Sequence, residues 1–150
     1  MNSKLEFKIK RFDELTATEI YEILKARANV FIVEQDCNYQ DMDDKDKNAW
    51  HVFLEKDSKI IAYLRILDKG IAYDEIAIGR VLTLPSYRRK GYARQMLSLA
   101  IDFVEEKLKE SQIRVFAQSY LVKFYESHGF VSVSGTLYHD GKEHIEMLRG

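Results

Sequence analysis

Apolar and polar positions alternate in several short runs of the chain. Residues 5–10 alternate apolar and charged side chains, which predicts a strand. Residues 51–55 and 59–67 predict two paired strands around a Lys-Asp-Ser turn. Residues 75–84 predict a further strand that Pro85 ends, because proline has no N–H to donate to a neighbouring strand. These runs predict most of one sheet.

Helical spacing of apolar positions appears in two longer segments. Thr16 and Glu19 form a capping-box pattern that opens the first helix, which we expect to continue to about residue 34. Its apolar positions are Ile20, Ile23, Leu24, Val30 and Phe31. The second helix, from about residue 91 to residue 109, carries an apolar face of Met96, Leu99, Ala100, Phe103 and Val104. Residues 36–48 are polar and predict a loop.

The C-terminal third predicts three short strands and one short helix. The helix covers residues 120–127, and Gly129 suits the left-handed conformation that ends a helix. The strands cover residues 113–117, 130–133 and 144–148, with a turn near Asp140 and Gly141. This order of elements predicts an α/β fold with a mixed sheet, and 150 residues suit a single domain over residues 1–150.

Composition narrows the class of protein. The 23 lysines and arginines nearly balance the 24 aspartates and glutamates, so the formal net charge is −1 and a general nucleic-acid or membrane binder is not indicated. Cys37 is the one cysteine, so the chain has no internal disulfide, which suits a reducing compartment. Residues 1–7 have no signal-peptide core, and no apolar run approaches the roughly 20 residues of a membrane span. We therefore expect a cytoplasmic protein.

A short basic turn, residues 88–91, lies between the strand over residues 75–84 and the second helix. The first N–H groups of a helix have no intrahelical acceptor, and with the helix dipole they form an anion site. Arg88, Arg89 and Lys90 add three cations there, and Arg94 follows one turn later. Gly91 lets the backbone approach a bulky ligand. A diphosphate suits this geometry, while the P-loop and dinucleotide patterns are absent.

The spacing Arg88-x-x-Gly91-x-Ala93 resembles the acyl-coenzyme A signature of the GNAT N-acetyltransferase superfamily. The resemblance implies a mixed, largely antiparallel central sheet flanked by helices, with acetyl-coenzyme A as the acyl donor and no metal. Free main-chain groups of the strand would hold the pantetheine arm. The expected contacts of the donor are Val81, Leu82, Thr83, Arg88, Arg89, Lys90, Gly91, Tyr92, Ala93, Arg94, Gln118 and Phe124.

A second block supports the same resemblance. Phe124-Tyr125 and Gly129-Phe130 match in type and spacing a short helix and the strand that follows it in that superfamily. The resemblance implies that Tyr125 donates a proton to the departing coenzyme A thiolate. A phenol with a pKa near ~10 is a weaker acid than a thiol near ~8.5, so Tyr125 is best regarded as a hydrogen-bond donor to developing charge.

The N-terminal half resembles the ElaA-like branch of the superfamily. The matching residues lie in segments 27–35, 39–46, 78–81 and 140–145 and at His51, so the resemblance covers roughly residues 15–149. Asn38 stands where a proline is common, and Asp44 is an extra residue in the aspartate run. The branch implies acetyl transfer to a primary amine whose identity the resemblance does not supply. We expect substrate contacts from Arg27, Phe31, Glu34, Arg80 and His144.

Several polar residues of this half are candidates for catalysis, ion pairing or substrate binding. A carboxylate at a helix end, as at Glu34, is unfavourable for the helix dipole, so Glu34 is a candidate catalytic residue, and His51 is a candidate base or relay. Arg65 and Arg80 need partners if they are buried, and Glu75 or the loop aspartates would serve. The aspartates form either a negative patch for an amine or a solvated loop: Asp36, Asp41, Asp43, Asp44 and Asp46.

Other chemistry is less well supported by the residues. A calcium loop fits poorly, since Lys45 and Asp46 occupy positions where a ligand and a turn glycine belong. Cys37 has no obvious activating base at a useful spacing, and the superfamily transfers the acyl group directly.

Two alternatives and the oligomeric state stay open. One alternative is an acyl-homoserine-lactone synthase, which uses an acyl carrier protein and S-adenosylmethionine and which these residues resemble in spacing: Arg27, Phe31, Asp41, Asp43, Asp46 and Arg65. The other is a non-catalytic module that binds acyl-coenzyme A. A monomer and a homodimer are equally compatible with the sequence.

Overall fold

The structure, a computed structural model, describes residues 4–150. Residues 1–3, part of the segment without a signal-peptide core, lie outside the described residues. The strands are β1 Glu6–Arg11, β2 Ala49–Lys56, β3 Lys59–Leu67, β4 Ile76–Thr83, β5 Ile113–Gln118, β6 Phe130–Ser132, β7 Leu137–His139 and β8 Lys142–Arg149. The helices are α1 Ala17–Arg27, a π-helix over Ala28–Glu34, α2 Tyr92–Glu106 and α3 Val122–Glu126.

Within residues 4–150, eight strands form one sheet, seven of them in the order β1-β2-β3-β4-β5-β8-β6, and β7 pairs with β8 off this path. β6 and β7 pair with opposite ends of β8. β4 and β5 are parallel, and the other neighbouring strands are antiparallel. The predicted mixed, largely antiparallel sheet is confirmed. No helix in this part of the chain is long and apolar enough to span a bilayer.

The sheet separates two apolar layers because side chains alternate across it. In β3, Ala62, Leu64 and Ile66 pack in the larger layer beneath α2, while Tyr63 packs beneath α1 and the π-helix. Burial of these apolar surfaces, at roughly 25 cal/mol per Å², is the main stabilising contribution to the fold. The sheet therefore fixes where α1, α2 and the turn before α2 meet.

The first helix begins as predicted but changes type before it ends. The Thr16 hydroxyl accepts a hydrogen bond from the Glu19 N–H, and the Glu19 carboxylate accepts one from the Thr16 N–H, which confirms the capping box. From Ala28 the helix continues as a π-helix, in which the Gln35 N–H reaches back five residues to the Val30 carbonyl. The periodicity that predicted a single helix to residue 34 does not distinguish the two types.

Two details of the prediction are wrong. Leu99 is 36% exposed, because it lies off the buried stripe of α2, which consists of Met96, Leu97, Ala100, Ile101 and Val104. Successive helical residues are rotated by about 100°, which turns Leu99 to solvent. The sequence also missed β7, which is three exposed residues long and pairs with β8 around a turn with positive φ at Asp140 and Gly141.

Candidate active site

A groove opens where β4 and β5 separate. The two strands pair from Ile76 and Ile113 to Ile78 and Val115, and not beyond. Opposite β3, the register of β4 shifts at a bulge in which Arg80 adopts φ +52°. A bulge bends its strand. The main chain of β4 beyond the bulge therefore faces an open space instead of β5.

This β4–β5 groove has a volume of about 420 Å³. Its walls come from β4, the basic turn, the start of α2, the segment from β5 to α3, the π-helix and β8. The lining residues are Val30, Glu34, Gln35, Val81, Leu82, Thr83, Arg88, Ala93, Gln118, Tyr120, Leu121, Phe124 and Lys142. The structure thus brings together seven of the predicted donor contacts, and Glu34 joins them. Arg89, Lys90, Gly91, Tyr92 and Arg94 lie outside the lining.

The basic turn presents the start of α2 without a cap. Gly91 precedes the helix with φ +83°, and no side chain caps the first turn. The first N–H with an intrahelical acceptor belongs to Gln95, which donates to the Gly91 carbonyl. A Cβ at Gly91 would meet nothing within 4 Å, so glycine is favoured there by its φ angle. The N–H groups of the first turn are therefore oriented for an anion.

Glu34 and Arg88 form an ion pair at the groove. The two nitrogens at the end of the Arg88 side chain donate to the two carboxylate oxygens of Glu34 at 2.6 and 2.7 Å, and Arg88 Nε donates to the Thr83 carbonyl. Each side chain is 39% exposed. The Arg88 hydrogen bonds lower the pKa of the Glu34 carboxyl. The carboxylate predicted to face an acceptor and an arginine predicted to face the donor therefore neutralise each other.

Tyr125 lies behind the groove wall. It is 4% exposed and packs edge-on against Phe124 and Phe130. Burial raises the pKa of the Tyr125 phenol, and nearby Tyr120 raises it further. Within residues 4–150 its hydroxyl has no hydrogen-bond partner, yet it is not among the buried unpartnered atoms, so it reaches the surface. The phenol is therefore a weaker acid than a free tyrosine and a free hydrogen-bond donor.

Three arginines and three aspartates form a closed ring beside the π-helix, which we call the Arg–Asp ring. Its six contacts run Arg27–Asp46 2.7 Å, Asp46–Arg65 3.0 Å, Arg65–Asp43 2.6 Å, Asp43–Arg80 3.5 Å, Arg80–Asp41 2.8 Å and Asp41–Arg27 2.8 Å. Charges alternate around the ring, so each ion has two opposite neighbours. The ring fastens the loop over residues 36–48 to β3 and β4.

The Arg–Asp ring shows which partners the loop aspartates and the strand arginines have. Asp41, Asp43 and Asp46 are paired with arginine, so the predicted negative patch does not form from them and they are not simply solvated. The loop aspartates partner Arg65 and Arg80 as expected, whereas Glu75 pairs with Arg114. Burial alone would raise the pKa of Asp43, but the hydrogen bonds and charge of Arg65 outweigh it and hold that pKa far below its ordinary value.

Of the other predicted acceptor residues, Arg27 and Arg80 meet at Asp41 in the ring, and His144 lies on β8 outside the groove lining. Arg27 is 0% exposed within the ring, and Phe31 is buried in the apolar layer beneath α1. Both ring nitrogens of His51 have partners, the Tyr63 hydroxyl at 2.6 Å and the Asp46 carbonyl at 2.9 Å. Burial lowers the pKa of His51. His51 borders a separate, smaller apolar pocket beside α1 and does not line the β4–β5 groove.

Sequence reasoning missed three polar residues of the groove, Gln35, Tyr120 and Lys142. The Gln118 side-chain amide donates to the Gln35 side chain at 3.2 Å, and Lys142 donates to the Gln35 carbonyl at 3.2 Å. These bonds tie the π-helix to β5 and β8. Tyr120 lies between the predicted contacts Gln118 and Phe124, so its place in sequence was a usable signal. Gln35 and Lys142 are brought together by the fold alone.

Comparisons with known proteins agree with this geometry. Residues 14–149 match the model of a family described as an acetyltransferase (GNAT) domain. The chain is 31% identical to Protein ElaA of Escherichia coli over 147 residues, 97% of this chain and 96% of that protein. The crystal structure of Escherichia coli ElaA covers 98% of this chain and 100% of its own, with a TM-score of 0.92.

Two further solved structures bear on the alternatives. An acyl-CoA N-acyltransferase from Pseudomonas aeruginosa is 32% identical, with a TM-score of 0.92, over 98% of this chain and 100% of its own. The AHL synthase LasI is 15% identical, with a TM-score of 0.77, over 98% of this chain and 90% of its own. At that identity the likeness to LasI concerns the fold alone.

Proposed function

Because the chain belongs to the GNAT acetyltransferase family, we propose that it transfers an acetyl group from acetyl-coenzyme A to a primary amine. The observation that carries the proposal is the β4–β5 groove, since it opens beside the uncapped start of α2. The diphosphate would accept hydrogen bonds from N–H groups of the first turn of α2. The pantetheine arm would lie along Val81–Thr83 and pair with their main chain.

The reaction follows from a thioester held in this groove. The amine nitrogen attacks the carbonyl carbon, and a main-chain N–H of β4 stabilises the oxyanion that forms. The C–S bond then breaks, and the sulfur leaves as a thiolate. Tyr125 donates a hydrogen bond to that sulfur. Since burial raises the pKa of Tyr125, the hydroxyl stabilises charge on sulfur more readily than it gives up its proton.

The acceptor end of the groove is proposed to lie beside Glu34. Its carboxylate, held by Arg88 on the π-helix wall, offers a partner for the cationic amine before transfer. Arg80 precedes the groove-lining Val81 on β4 and is fixed by Asp41. Arg27 and Phe31 are then positioning residues, because they are buried next to the π-helix wall. His51 lies at the separate pocket and has no direct part in transfer.

The Arg–Asp ring bears on the alternative of an acyl-homoserine-lactone synthase. Five of the six residues that resemble acyl-homoserine-lactone synthases in spacing form this ring, so an architectural role accounts for the likeness. The sixth, Phe31, is a core residue. No observation on the groove favours a carrier-protein substrate over coenzyme A.

The proposal is tested by calorimetric titration with acetyl-coenzyme A, followed by thiol release with a panel of polyamines, amino acids, lysine peptides and aminoglycosides. We expect saturable binding and acceleration above the protein-free rate with at least one amine. Absence of binding would overturn the donor site. Binding without transfer to any amine would favour the non-catalytic module that senses acyl-coenzyme A.

The role of Tyr125 has its own test. Tyr125→Phe removes the hydroxyl and keeps the ring packing against Phe124 and Phe130. We expect turnover to fall by about a hundredfold, at the low end for a proton-transfer group, while the acetyl-coenzyme A Kd changes little. Tyr21→Phe is the matched control, since Tyr21 is exposed on α1, does not line the groove and should affect turnover far less. A variant that loses binding and keeps turnover per bound complex would show that the role is misassigned.

A further inference from the structure

Among residues 4–150, no helix packs over one face of the sheet beyond the β4–β5 groove. Along β5 burial alternates, with Ile113, Val115 and Ala117 buried and the residues between them partly exposed. α1 and the π-helix pack over Phe53, Tyr63 and Leu82 instead. The face formed by β5, β7 and β8 therefore borders the groove on the side away from α2 and α3.

An aromatic cluster occupies this face. The His144 ring stacks on Phe116 with ring centres 4.5 Å apart and an interplanar angle of 12°. His139 packs edge-on against His144, 5.9 Å away, and pairs with Asp140. His144 is 8% exposed, so its ring is held in one orientation by its neighbours.

The hydrogen bonds of His144 fix where its lone pair lies. Nδ1 is 3.0 Å from the Lys142 carbonyl, which can only accept, so the hydrogen of the neutral ring is on Nδ1 and the lone pair is on Nε2. Within residues 4–150, Nε2 has no partner, and the buried unpartnered side-chain atoms are Arg65 Nε and Ser119 Oγ. Nε2 therefore reaches solvent as a free acceptor.

His144 is directly paired with Gln118 across β5 and β8, so both side chains lie on the same face. Paired residues place their Cβ atoms about 4.5–5.5 Å apart, and Gln118 lines the groove. We propose that His144 is the general base that takes the proton of the acceptor amine, directly or through one water molecule. This inference rests on the proposed acetyl transfer and names the catalytic base for it.

Other candidate bases are already engaged. Glu34 is bound by Arg88 through both carboxylate oxygens, and His51 uses both ring nitrogens. The ionisable groups around His144 are His139 on β7 and, on the same face of β8, Lys142 and Glu146. The Lys142 ammonium is bound to the Gln35 carbonyl, and Glu146 approaches Arg114 at 3.5 Å. His144 therefore has a ring nitrogen free to accept and is paired with the groove-lining Gln118.

Each acetyl transfer from an ammonium substrate releases one proton to solvent. An ammonium gives one proton to His144 Nε2, and the free amine forms the C–N bond while the C–S bond breaks. The second proton on nitrogen passes to the thiolate through solvent, and the imidazolium returns its proton to water. An ammonium and a thioester thus yield an amide, a thiol and one proton.

The test compares two small amines on acetyl-coenzyme A bound to the full chain at neutral pH. Ethylamine is protonated there and needs a base, whereas 2,2,2-trifluoroethylamine is mostly neutral. His144→Asn keeps an N–H for the Lys142 carbonyl and lacks Nε2. We expect the rate with ethylamine to fall by about a hundredfold. The rate with trifluoroethylamine should fall by about tenfold or less. The acetyl-coenzyme A Kd and thermal stability should stay close to wild type.

Controls separate a base from a structural residue. Tyr138→Phe changes an exposed side chain of β7 and should leave both rates near wild type. Exogenous imidazole should restore the ethylamine rate of His144→Ala. Equal losses with the two amines, no loss, or no acceleration of either amine by wild-type protein with acetyl-coenzyme A bound would overturn the base assignment. Absence of acetyl-coenzyme A binding would overturn the proposed function itself and this inference with it.

Discussion

The Arg–Asp ring and the basic turn are both clusters of cationic side chains. They differ in whether those side chains are paired with carboxylates. In the ring, each arginine contacts two aspartates and Arg27 is fully enclosed. In the turn, the exposed side chains of Arg89 and Lys90 pair with no carboxylate among residues 4–150, and the N–H groups beside them are uncapped. A cluster of arginines therefore indicates a ligand site when its charges lack protein partners. A cluster that is internally neutral indicates architecture.

The largest expected effect comes from opening the ring. Arg27→Ala leaves Asp41 and Asp46 with one cation each in a buried setting, so the free energy of unfolding should fall by about 3–5 kcal/mol. Urea denaturation measures it. Arg89→Ala in the turn is the control and should change stability by no more than about 0.5 kcal/mol. Similar losses of unfolding free energy in the two variants would contradict the distinction between the Arg–Asp ring and the basic turn.

A substitution that blocks the basic turn should weaken acetyl-coenzyme A binding and leave the fold intact. Gly91→Glu adds a carboxylate to the anion site and strains a residue at φ +83°, so the acetyl-coenzyme A Kd should rise by about a hundredfold or more. Gly70→Glu is a matched control, because Gly70 has φ +85° and open space around its Cβ position. Calorimetric titration of both variants decides the matter, and an unchanged Kd in Gly91→Glu would remove the phosphate site.

Acid should weaken the ring. Burial raises the pKa of Asp43 and Asp46, but their arginine partners outweigh it, so both folded-state pKa values lie below the unfolded ones. The contribution of the ring is thus fully present above the ordinary aspartate pKa of about 3.9 and is lost as pH falls further. We expect a steady Tm from pH 7 to about 5 and a fall of at least several °C by about pH 3. Asp43→Asn should flatten this fall, and an equally steep fall would contradict the assignment.

The smallest effect concerns the one arginine of the turn that has a carboxylate partner. Glu34→Gln releases Arg88, whose exposed ion pair is worth about 0.2–1 kcal/mol, so acetyl-coenzyme A should bind about two- to fivefold more tightly. Asp36→Asn, an exposed carboxylate two residues away, is the control and should leave the Kd unchanged. Weaker binding in Glu34→Gln would mean that the pair orders the groove for the donor.

The sequence predicted what depends on neighbours along the chain. The capping box at Thr16, the end of β4 before Pro85 and the left-handed Gly129 are local, and all are present in the structure. The basic turn was also local, since a strand, a turn and a helix start define it. Resemblance added Tyr125, whose burial and raised pKa no local pattern could indicate.

What the sequence could not predict depends on residues far apart in the chain. Glu34 and Arg88 are 54 positions apart, and Arg80 is 39 positions from Asp41. A need for partners was evident at Arg65 and Arg80, but the closed order of the ring follows from how β3 and β4 present them to the loop. Gln35 and Lys142 joined the groove for the same reason, 107 positions apart.

The π-helix over Ala28–Glu34 sets the angular position of Glu34 about the helix axis. A π-turn holds one residue more than an α-turn, so loss of a single residue between 28 and 33 would let the segment relax into α-helical hydrogen bonding. The lost residue and the tighter α-turn would offset each other, so Glu34 would keep roughly its direction toward Arg88, whereas the same deletion in an α-helix would rotate it by about 100°. The π-helix therefore lets the chain between α1 and Glu34 lose one residue without rebuilding the groove or the core.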